Sequence, residues 1–237
     1  MLQREPGRTP QVGVLMAAYN EAPWIETVLR KVAAVAFDTE IIVVDDGSTD
    51  ATGEILARLA RTLPIRVVRH PRNLGKGRAI RSALDVSRAP ILLIQDADLE
   101  YDPEDYAGLL KPLLEGRAAV VYGSRFLGAH RAIYFWHRVG NWVITMMVNV
   151  LFNTSLTDVE TGSKAFRREV VQALPLRASR FEFEVELTCK VVRRGHSIFE
   201  VPVSYYGRSY SEGKKITWRD GVYALWVIAC CRLNPRY

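Results

Sequence analysis

The chain alternates short runs of apolar residues with longer segments in which apolar residues recur every three or four positions. The short runs predict buried β-strands, and the periodic segments predict helices with one apolar face. Strands that alternate with helices are typical of an α/β fold with a mostly parallel sheet covered on both faces. The predicted strands cover residues 12–16, 41–44, 65–68, 91–94 and 118–122, and the predicted helices cover residues 23–35, 50–63 and 76–86.

The pattern changes after residue 122, where longer apolar and aromatic stretches begin. The second half predicts helices at 134–152, 183–193 and 218–233, a strand at 198–203, and a polar, glycine-containing loop at 207–215. Neither an internal repeat nor a domain linker is visible in the sequence. We therefore predict a flexible N-terminus at residues 1–10, one globular domain at 11–216, and a C-terminal amphipathic helix of the same domain at 217–237.

The composition of the 237 residues, 49% hydrophobic and 24% charged, is typical of a globular protein with a sizeable core. No uninterrupted apolar run reaches the length of about 18 residues that a membrane-spanning helix needs. Residues 1–11 lack the apolar segment of a secretory signal. The odd count of three cysteines suits neither a disulfide framework nor a zinc site. We therefore expect a reducing, cytoplasmic compartment.

The formal net charge of +6 has two explanations of similar weight. One is a solvated basic surface, and the other is an anionic partner such as a nucleotide, a lipid phosphate or a membrane. The basic residues are spread along the chain and no nucleic-acid-binding signature is present, so nucleic acid is not an expected partner.

Two acidic clusters directly follow predicted strands, DDGSTD at 45–50 and DADLE at 96–100. The carboxyl ends of parallel strands form the ligand-binding edge of such a sheet. In an extended Asp-x-Asp segment both carboxylates point to the same side, and Mg²⁺ or Mn²⁺ prefers such oxygen ligands. Each cluster alone is also typical of turn and cap residues. Two clusters on successive strand ends favour the metal and diphosphate interpretation.

Two further segments are candidates for phosphate binding, although each is also compatible with an ordinary turn. The NLGKG segment at 73–77 opens a predicted helix, whose N-terminus attracts anions. The loop at 207–215 carries Arg208 and Lys214 between glycines, and mobile basic loops often close over phosphates. The aromatic helix at 134–152 and the last helix are predicted either to be core helices or to lie in a membrane interface.

Together, these motifs resemble family 2 glycosyltransferases of the GT-A fold, in the branch of the dolichyl-phosphate mannose synthases and bacterial polyprenyl-phosphate sugar transferases. The resemblance covers nearly the whole chain. The motifs that carry it are AAYNE at 17–21, VVDDGS at 43–48, NLGKG at 73–77, DAD at 96–98, GSRF at 123–126, and Arg208 six residues before Lys214. The Gln-x-x-Arg-Trp motif of processive members is absent, which implies a single sugar transfer rather than polymer synthesis.

The resemblance implies a binding site for a nucleotide-sugar donor of the GDP-mannose or UDP-glucose type. We expect the base and ribose to be held by Ala17, Tyr19, Glu21, Val44 and Asp46. We expect Asp96 and Asp98 to bind Mg²⁺ or Mn²⁺ and the diphosphate, with Glu100 as a further metal ligand. We expect the donor or acceptor phosphates to contact Arg125, Arg208 and Lys214. Lys76 and Ala97 complete the predicted donor site.

The implied reaction is an inverting transfer to polyprenyl phosphate at the cytoplasmic face of a membrane, with Asp98, Arg125 and Asp158 as the predicted catalytic residues. A phosphate acceptor is largely dianionic at neutral pH and needs no general base. A sugar hydroxyl, the alternative acceptor, needs a carboxylate base, for which Asp158, Glu182 and Glu184 are the candidates. Relatives carry membrane spans or partner subunits, so a membrane-anchoring partner protein is a further expectation. A sugar nucleotidyltransferase is a remote alternative, because its glycine-rich loop after the first strand is missing.

Overall fold

The computed structural model describes residues 10–132, 134–208, 218–234 and 237. The strands are β1 (Val12–Ala18), β2 (Thr39–Asp45), β3 (Ile65–Arg69), β4 (Ile91–Ile94), β5 (Val120–Ser124), β6 (Lys164–Arg167) and β7 (Ile198–Pro202). The α-helices are α1 (Ile25–Ala34), α2 (Thr52–Leu59), α3 (Lys76–Val86), α4 (Tyr106–Leu114), α5 (Phe135–Phe152), α6 (Arg168–Gln172), α7 (Phe183–Arg193) and α8 (Trp218–Leu233). A short 3₁₀ helix at Pro103–Asp105 precedes α4.

The seven strands form one sheet in the order β3-β2-β1-β4-β6-β5-β7. Only β6 runs antiparallel to its neighbours, β4 and β5. All other adjacent strands in this sheet are parallel, which confirms the predicted α/β class. Strand β6 and helices α4 and α6 were not predicted from the sequence. Strand β6 is only four residues long and begins with a lysine, and α4 contains Pro112, which normally argues against a helix interior.

Helices cover both faces of the sheet because successive strand residues point to opposite sides. On one face, Val14 and Met16 of β1 belong to a core cluster that includes residues of α1 and α4. On the other face, Leu15 of the same strand belongs to a cluster that includes residues of α3 and α7. Every residue of β4 is buried, as expected for a central strand between two helical layers.

A third apolar cluster lies away from the central strands and joins α5, α7 and α8. Its members include Ile144, Val185 and Val227, all nearly or fully inaccessible to solvent. The predicted C-terminal helix therefore exists and packs into the domain. Its exposed residues include Trp218 and Trp226, so large apolar side chains occupy the solvent side as well.

Some predictions fall on the parts of the chain that the structure does not describe. The flexible N-terminus at 1–10 lies outside the described residues except for Pro10, and most of the polar loop at 207–215, including Lys214, also lies outside them. None of the described helices combines the length and the apolar character needed to cross a bilayer.

Candidate active site

A cavity of about 360 Å³ opens at the carboxyl ends of β1, β2 and β4. Strands β2 and β4 flank β1 in parallel register, so their ends lie side by side. Chain segments that leave the three strands place polar side chains in one space, as expected at the ligand-binding edge of an α/β sheet. The carboxylates that line the cavity are Glu21, Asp46, Asp96, Asp98, Glu100, Glu160 and Glu184.

Asp46 lies in the lining of the cavity at the end of β2 and binds the neighbouring backbone there. Its side chain is nearly fully buried and accepts hydrogen bonds from the backbone amides of Leu74 (3.0 Å) and Gly75 (2.7 Å) and contacts His70 Nδ1 at 2.6 Å. Gly75 has φ +96°, and a Cβ there would lie 2.3 Å from the Ser179 carbonyl oxygen. Only glycine fits this conformation without strain. The NLGKG segment is therefore fixed both by the close packing of Gly75 against Ser179 and by its hydrogen bonds to Asp46.

Arg208 bridges the acidic side chains of the cavity. Its guanidinium contacts Glu21 Oε2 at 3.1 Å, Asp98 Oδ2 at 2.5 Å and Glu100 Oε1 at 3.3 Å. Glu100 also accepts a hydrogen bond from the Tyr205 hydroxyl at 3.0 Å. Among the described residues, Arg208 therefore faces three carboxylates with one guanidinium.

The pKa of Asp98 is raised by its surroundings. Burial, together with the neighbouring Asp96 and Glu100 carboxylates, raises the pKa of Asp98 to about 8 against the opposing effect of Arg208. No three His, Cys, Asp or Glu side chains among the described residues are already arranged as a metal-ion site. The chemistry of Asp96 and Asp98 nevertheless fits Mg²⁺ or Mn²⁺, which commonly binds one or two carboxylates together with substrate phosphates.

Lys76, at the first position of α3, lies between two carboxylates in the cavity. Its Nζ is 2.6 Å from Asp96 Oδ1 and 3.0 Å from Glu184 Oε1. Burial alone lowers the pKa of Lys76, but Asp96 and Glu184 outweigh it and raise the pKa above its ordinary value. The lysine is therefore charged at every physiological pH. Gly162 packs closely behind Asp96, because a Cβ at this glycine would lie 2.2 Å from Asp96 Oδ2.

Arg125 is fixed by a carboxylate behind it. Two nitrogens of its guanidinium, Nε and Nη2, each lie 2.7 Å from an oxygen of Asp158. Asp158 is fully buried and also accepts hydrogen bonds from the Arg125 backbone amide and from Asn141. Burial tends to raise the pKa of Asp158, but Arg125 outweighs it and lowers the pKa below its usual value. The guanidinium also lies over the Tyr205 ring at 5.2 Å.

Most of the predicted site residues meet in this cavity. The lining includes Ala17, Tyr19, Glu21 and Asp46 from the predicted base and ribose site. It also includes Asp96, Ala97, Asp98 and Glu100 from the acidic segment, and the basic residues Lys76, Arg125 and Arg208.

The structure places other predicted residues elsewhere. Val44 is fully buried in β2 and belongs to the apolar cluster beneath α3, not to the cavity lining. Asp158 lies behind Arg125 rather than in the lining, and Lys214 lies outside the described residues. Glu182, a candidate base, accepts hydrogen bonds from the backbone amides at 179 and 180 and does not line the cavity. The positions of Val44, Asp158 and Glu182 therefore give no support to their predicted roles in catalysis or donor binding.

Sequence reasoning missed several residues of the lining. They include Tyr101, Phe126, His137, Asn141, Glu160 and Tyr205. Glu160 stands beside the Thr-Gly-Ser turn at 161–163, which the sequence shows only as an ordinary turn. Burial raises the pKa of Glu160 to about 7, although Arg125 opposes the shift. Phe126 belongs to the GSRF motif, but none of these residues was assigned to the site, because long-range folding brings them to the β4 end.

The fold and the carboxylate-lined cavity define the class of a GT-A glycosyltransferase. A family model described as glycosyl transferase family 2 matches residues 13–174, which is more than half of the chain, and the chain belongs to this family.

Comparison with individual proteins agrees with this assignment. The chain is 34% identical over 199 residues to the glycosyltransferase AglJ of Haloferax volcanii, and the match covers 83% of this chain but only 63% of that protein. It is 29% identical to the polyprenol monophosphomannose synthase of Mycolicibacterium smegmatis, covering 87% of this chain and 81% of the relative.

Among solved structures, the glucosyl-3-phosphoglycerate synthase of Mycobacterium tuberculosis, in complex with Mn²⁺, uridine diphosphate and phosphoglyceric acid, superposes with a TM-score of 0.74. The match covers 97% of this chain and 80% of that one at 24% identity. A similarity at this level of identity establishes the shared fold.

Proposed function

We propose that this protein transfers one sugar from a nucleotide-sugar donor to the phosphate of a polyprenyl phosphate, with inversion and with the help of Mg²⁺ or Mn²⁺. The observation that carries the proposal is the cavity at the strand ends, where, among the described residues, three carboxylates including Asp98 surround the guanidinium of Arg208 and the pKa of Asp98 is raised to about 8. Such a group attracts a divalent cation and, through it, a diphosphate. The M. smegmatis relative, named as a polyprenol monophosphomannose synthase, supports the acceptor class.

The donor would lie along the carboxyl ends of β1, β2 and β4. Tyr19, Glu21 and Asp46 would surround its base and ribose, and Lys76 would face its diphosphate. Asp96 and Asp98 would hold the metal, which when bound neutralises charge on the leaving diphosphate. Guanosine and uridine diphosphate sugars both remain candidate donors, because discrimination between the bases depends on details of the pocket's shape.

Arg125 is suited to hold the acceptor phosphate. The bidentate contact with Asp158 fixes its guanidinium at the cavity wall, and Arg–phosphate pairs need no proton transfer. The acceptor phosphate would then need only to be positioned beside the anomeric carbon. The three carboxylates predicted as general bases for a hydroxyl acceptor already have partners. Asp158 binds Arg125, Glu182 accepts from backbone amides, and Glu184 contacts Lys76. These contacts favour the phosphate acceptor.

The exposed apolar side chains of α5 and α8, here called the aromatic patch, would place the cavity at a membrane surface. Trp136 is 78% exposed, Trp142 is 60% exposed and Trp218 is 75% exposed. Helix α5 also contributes His137 and Asn141 to the cavity, so the patch adjoins the site. Exposed arginines lie close to these aromatic residues in sequence at positions 138 and 219, and a third lies at position 232, near the end of α8. Aromatic and basic side chains together are typical of surfaces that lie in the headgroup region of anionic bilayers.

Sedimentation with vesicles of phosphatidylglycerol and phosphatidylcholine tests the membrane contact. The double variant Trp136→Ser, Trp142→Ser should bind roughly tenfold more weakly than the wild type, which corresponds to about 1.4 kcal/mol. Leu114→Ser, which removes an exposed apolar residue of α4, should bind as the wild type does. Equal loss in both variants, or no loss in either, would contradict a role for the patch.

The decisive experiment for the activity is transfer of labelled sugar from a panel of GDP- and UDP-sugars to a short polyprenyl phosphate. Transfer from one donor, dependent on added Mg²⁺ or Mn²⁺ and absent in Asp98→Asn, is the expected result. Donor hydrolysis or transfer to a sugar hydroxyl without any product on the lipid phosphate would retain a glycosyltransferase but reject the proposed acceptor.

A further inference from the structure

A fully buried lysine lies directly behind the donor side of the cavity. Lys164, the first residue of β6, has no solvent-accessible surface. Its Nζ donates to Glu184 Oε2 (2.5 Å) and to the backbone carbonyls of Val159 (3.1 Å) and Thr161 (2.5 Å). The ammonium also lies 4.7 Å from the centre of the Tyr122 ring. Burial lowers the pKa of Lys164 against the opposing effect of Glu184, so burying this charge is costly and Glu184 offsets the cost.

Lys164 is the inner end of a chain of alternating charges that reaches the cavity. Glu184 uses one oxygen for Lys164 and the other for Lys76, at 2.5 and 3.0 Å. Lys76 in turn contacts Asp96 at 2.6 Å. The order Lys164, Glu184, Lys76, Asp96 runs from the protein interior to the acidic segment after β4, and its formal charges sum to zero. Three of the four side chains line the cavity, and only Lys164 lies behind it.

A second buried glutamate–lysine pair lies on α7, the helix that carries Glu184, and has a purely structural arrangement. Glu186 of α7 is also fully buried, and it contacts Lys190 at 2.6 Å. The remaining partners of Glu186 are the backbone amides of Arg177 and Ala178, and Lys190 donates to the Pro175 carbonyl. Neither Glu186 nor Lys190 lines the cavity. This pair fixes a loop, whereas the Lys164–Glu184 pair ends on a cation that faces the cavity.

We propose that Lys164 and Glu184 are positioning residues for the donor: through Glu184, Lys164 fixes the ammonium of Lys76 against Asp96, where it meets the donor diphosphate. The proposal rests on the proposed function, since it assumes that a nucleoside diphosphate occupies the cavity. Without Lys164, Lys76 is the one cation among the described residues that still contacts the buried Glu184 carboxylate. Lys76 is then drawn away from Asp96, and less of its charge is available to the diphosphate.

The test is calorimetric binding of UDP and GDP, each with Mn²⁺, to a set of purified variants. Lys164→Met and Glu184→Gln should each weaken binding of the preferred nucleotide roughly tenfold or more, as expected when a charge-assisted contact is misplaced. The double variant Lys164→Met, Glu184→Gln should lose much less than the product of the two single effects, because Lys164 acts through Glu184. In transfer assays the single variants should raise KM for the donor more than they lower kcat.

Lys190→Met and Glu186→Gln are the matched controls, since they remove a buried lysine and a buried glutamate from the same helix. They should lower the midpoint of thermal unfolding but leave nucleotide affinity unchanged. If Lys164→Met does not fold, Glu184→Gln and its control carry the comparison alone. Equal weakening in the control variants, or unchanged affinity in the folded Lys164→Met and Glu184→Gln proteins, overturns the proposal. If the wild type binds neither nucleotide, the proposed function itself fails and this proposal fails with it.

Discussion

Two buried aspartate–arginine pairs lie at the same cavity, Asp98–Arg208 in its lining and Asp158 behind Arg125, and they differ in how their charges are shared. In the first, Asp158 is shielded from solvent and both of its oxygens contact the guanidinium of Arg125. In the second, Asp98 contacts Nη2 of Arg208, and the other two nitrogens of the same guanidinium contact Glu21 and Glu100. The first pair is balanced one to one. In the part of the chain that the structure describes, the second places three carboxylates around one arginine.

The difference appears in the pKa of each carboxyl group. Arg125 overcomes burial and holds the pKa of Asp158 below its usual value, whereas burial together with Asp96 and Glu100 raises the pKa of Asp98 to about 8. A balanced pair is suited to fixing an arginine in place. An unbalanced group gains from an added cation. The comparison therefore supports the proposal that Asp158 positions Arg125 and that Asp98 binds the metal. Both were predicted to be catalytic, and Asp98 was also predicted to be a metal ligand.

The largest effect is expected for Asp98→Asn, which removes the charge from the unbalanced group. Transfer to polyprenyl phosphate should fall on the order of 10³-fold, because charge on the departing diphosphate loses its counterion. The mutant should also fail to gain thermal stability from Mn²⁺, which the wild type should gain. A mutant that remains within about tenfold of the wild-type rate would contradict the role given to Asp98.

Asp158→Asn should reduce transfer less, by roughly 10²-fold, because Arg125 remains present but loses its bidentate partner. Breaking a fully buried ion pair should also lower the free energy of unfolding by about 3 kcal/mol, measurable by urea denaturation. If Asp158 were instead a general base, its loss would abolish transfer and remove an ionisation from the pH–rate profile. The size of the loss and the pH–rate profile together separate positioning from proton transfer.

Arg208→Gln probes the competition for the unbalanced carboxylates. In the absence of nucleotide, the variant should bind Mn²⁺ roughly tenfold more tightly than the wild type, because an internal cation no longer contacts Asp98 and Glu100. Isothermal titration measures this directly. Arg125→Gln serves as the control, since Arg125 neutralises a different carboxylate. Weaker Mn²⁺ binding in Arg208→Gln would show that the arginine supports the cation rather than competes with it.

The two pairs should also give opposite pH dependences of stability. The folded-state pKa of Asp98 is raised, so the free energy of unfolding falls as the pH rises from about 4 to about 8. Above this range Asp98→Asn should be more stable than the wild type, with a thermal midpoint higher on the order of 5 °C. The pKa of Asp158 is lowered, so its contribution is present above the ordinary aspartate pKa and is lost only as the pH falls below it.

The smallest effect is expected for Glu160→Gln. Glu160 lines the cavity with a pKa raised to about 7 by burial, and it is therefore the remaining carboxylate there with the properties of a general base. A phosphate acceptor needs no base, so kcat should fall less than about threefold and the pH–rate profile should keep its shape. A loss of 10²-fold or more, with removal of an ionisation near pH 7, would indicate a hydroxyl acceptor instead.

The local pattern of apolar and polar residues was sufficient to predict many of the strands and helices and the motifs at the strand ends. The predicted strands and helices at 12–16, 76–86, 91–94, 183–193 and 218–233 agree with observed elements to within two residues. The acidic clusters follow β2 and β4, as the sequence indicated. These features depend on periodicity and on neighbours along the chain, which the sequence contains directly.

The parts that the sequence could not supply depend on contacts between distant residues. Strand β6 carries a buried lysine where a strand pattern expects an apolar residue, and its ion pair spans 20 positions to Glu184. Asp98 and Asp158 look alike as isolated aspartates. Burial raises the pKa of both, but Arg125, 33 positions away, outweighs burial at Asp158. At Asp98, burial together with Asp96 and Glu100 outweighs Arg208, which lies 110 positions away. The sequence by itself determined the class of fold and the edge at which the site lies. Only the tertiary structure decided which carboxylate is balanced by a cation, because electrostatic energies depend on distance and burial rather than on order along the chain.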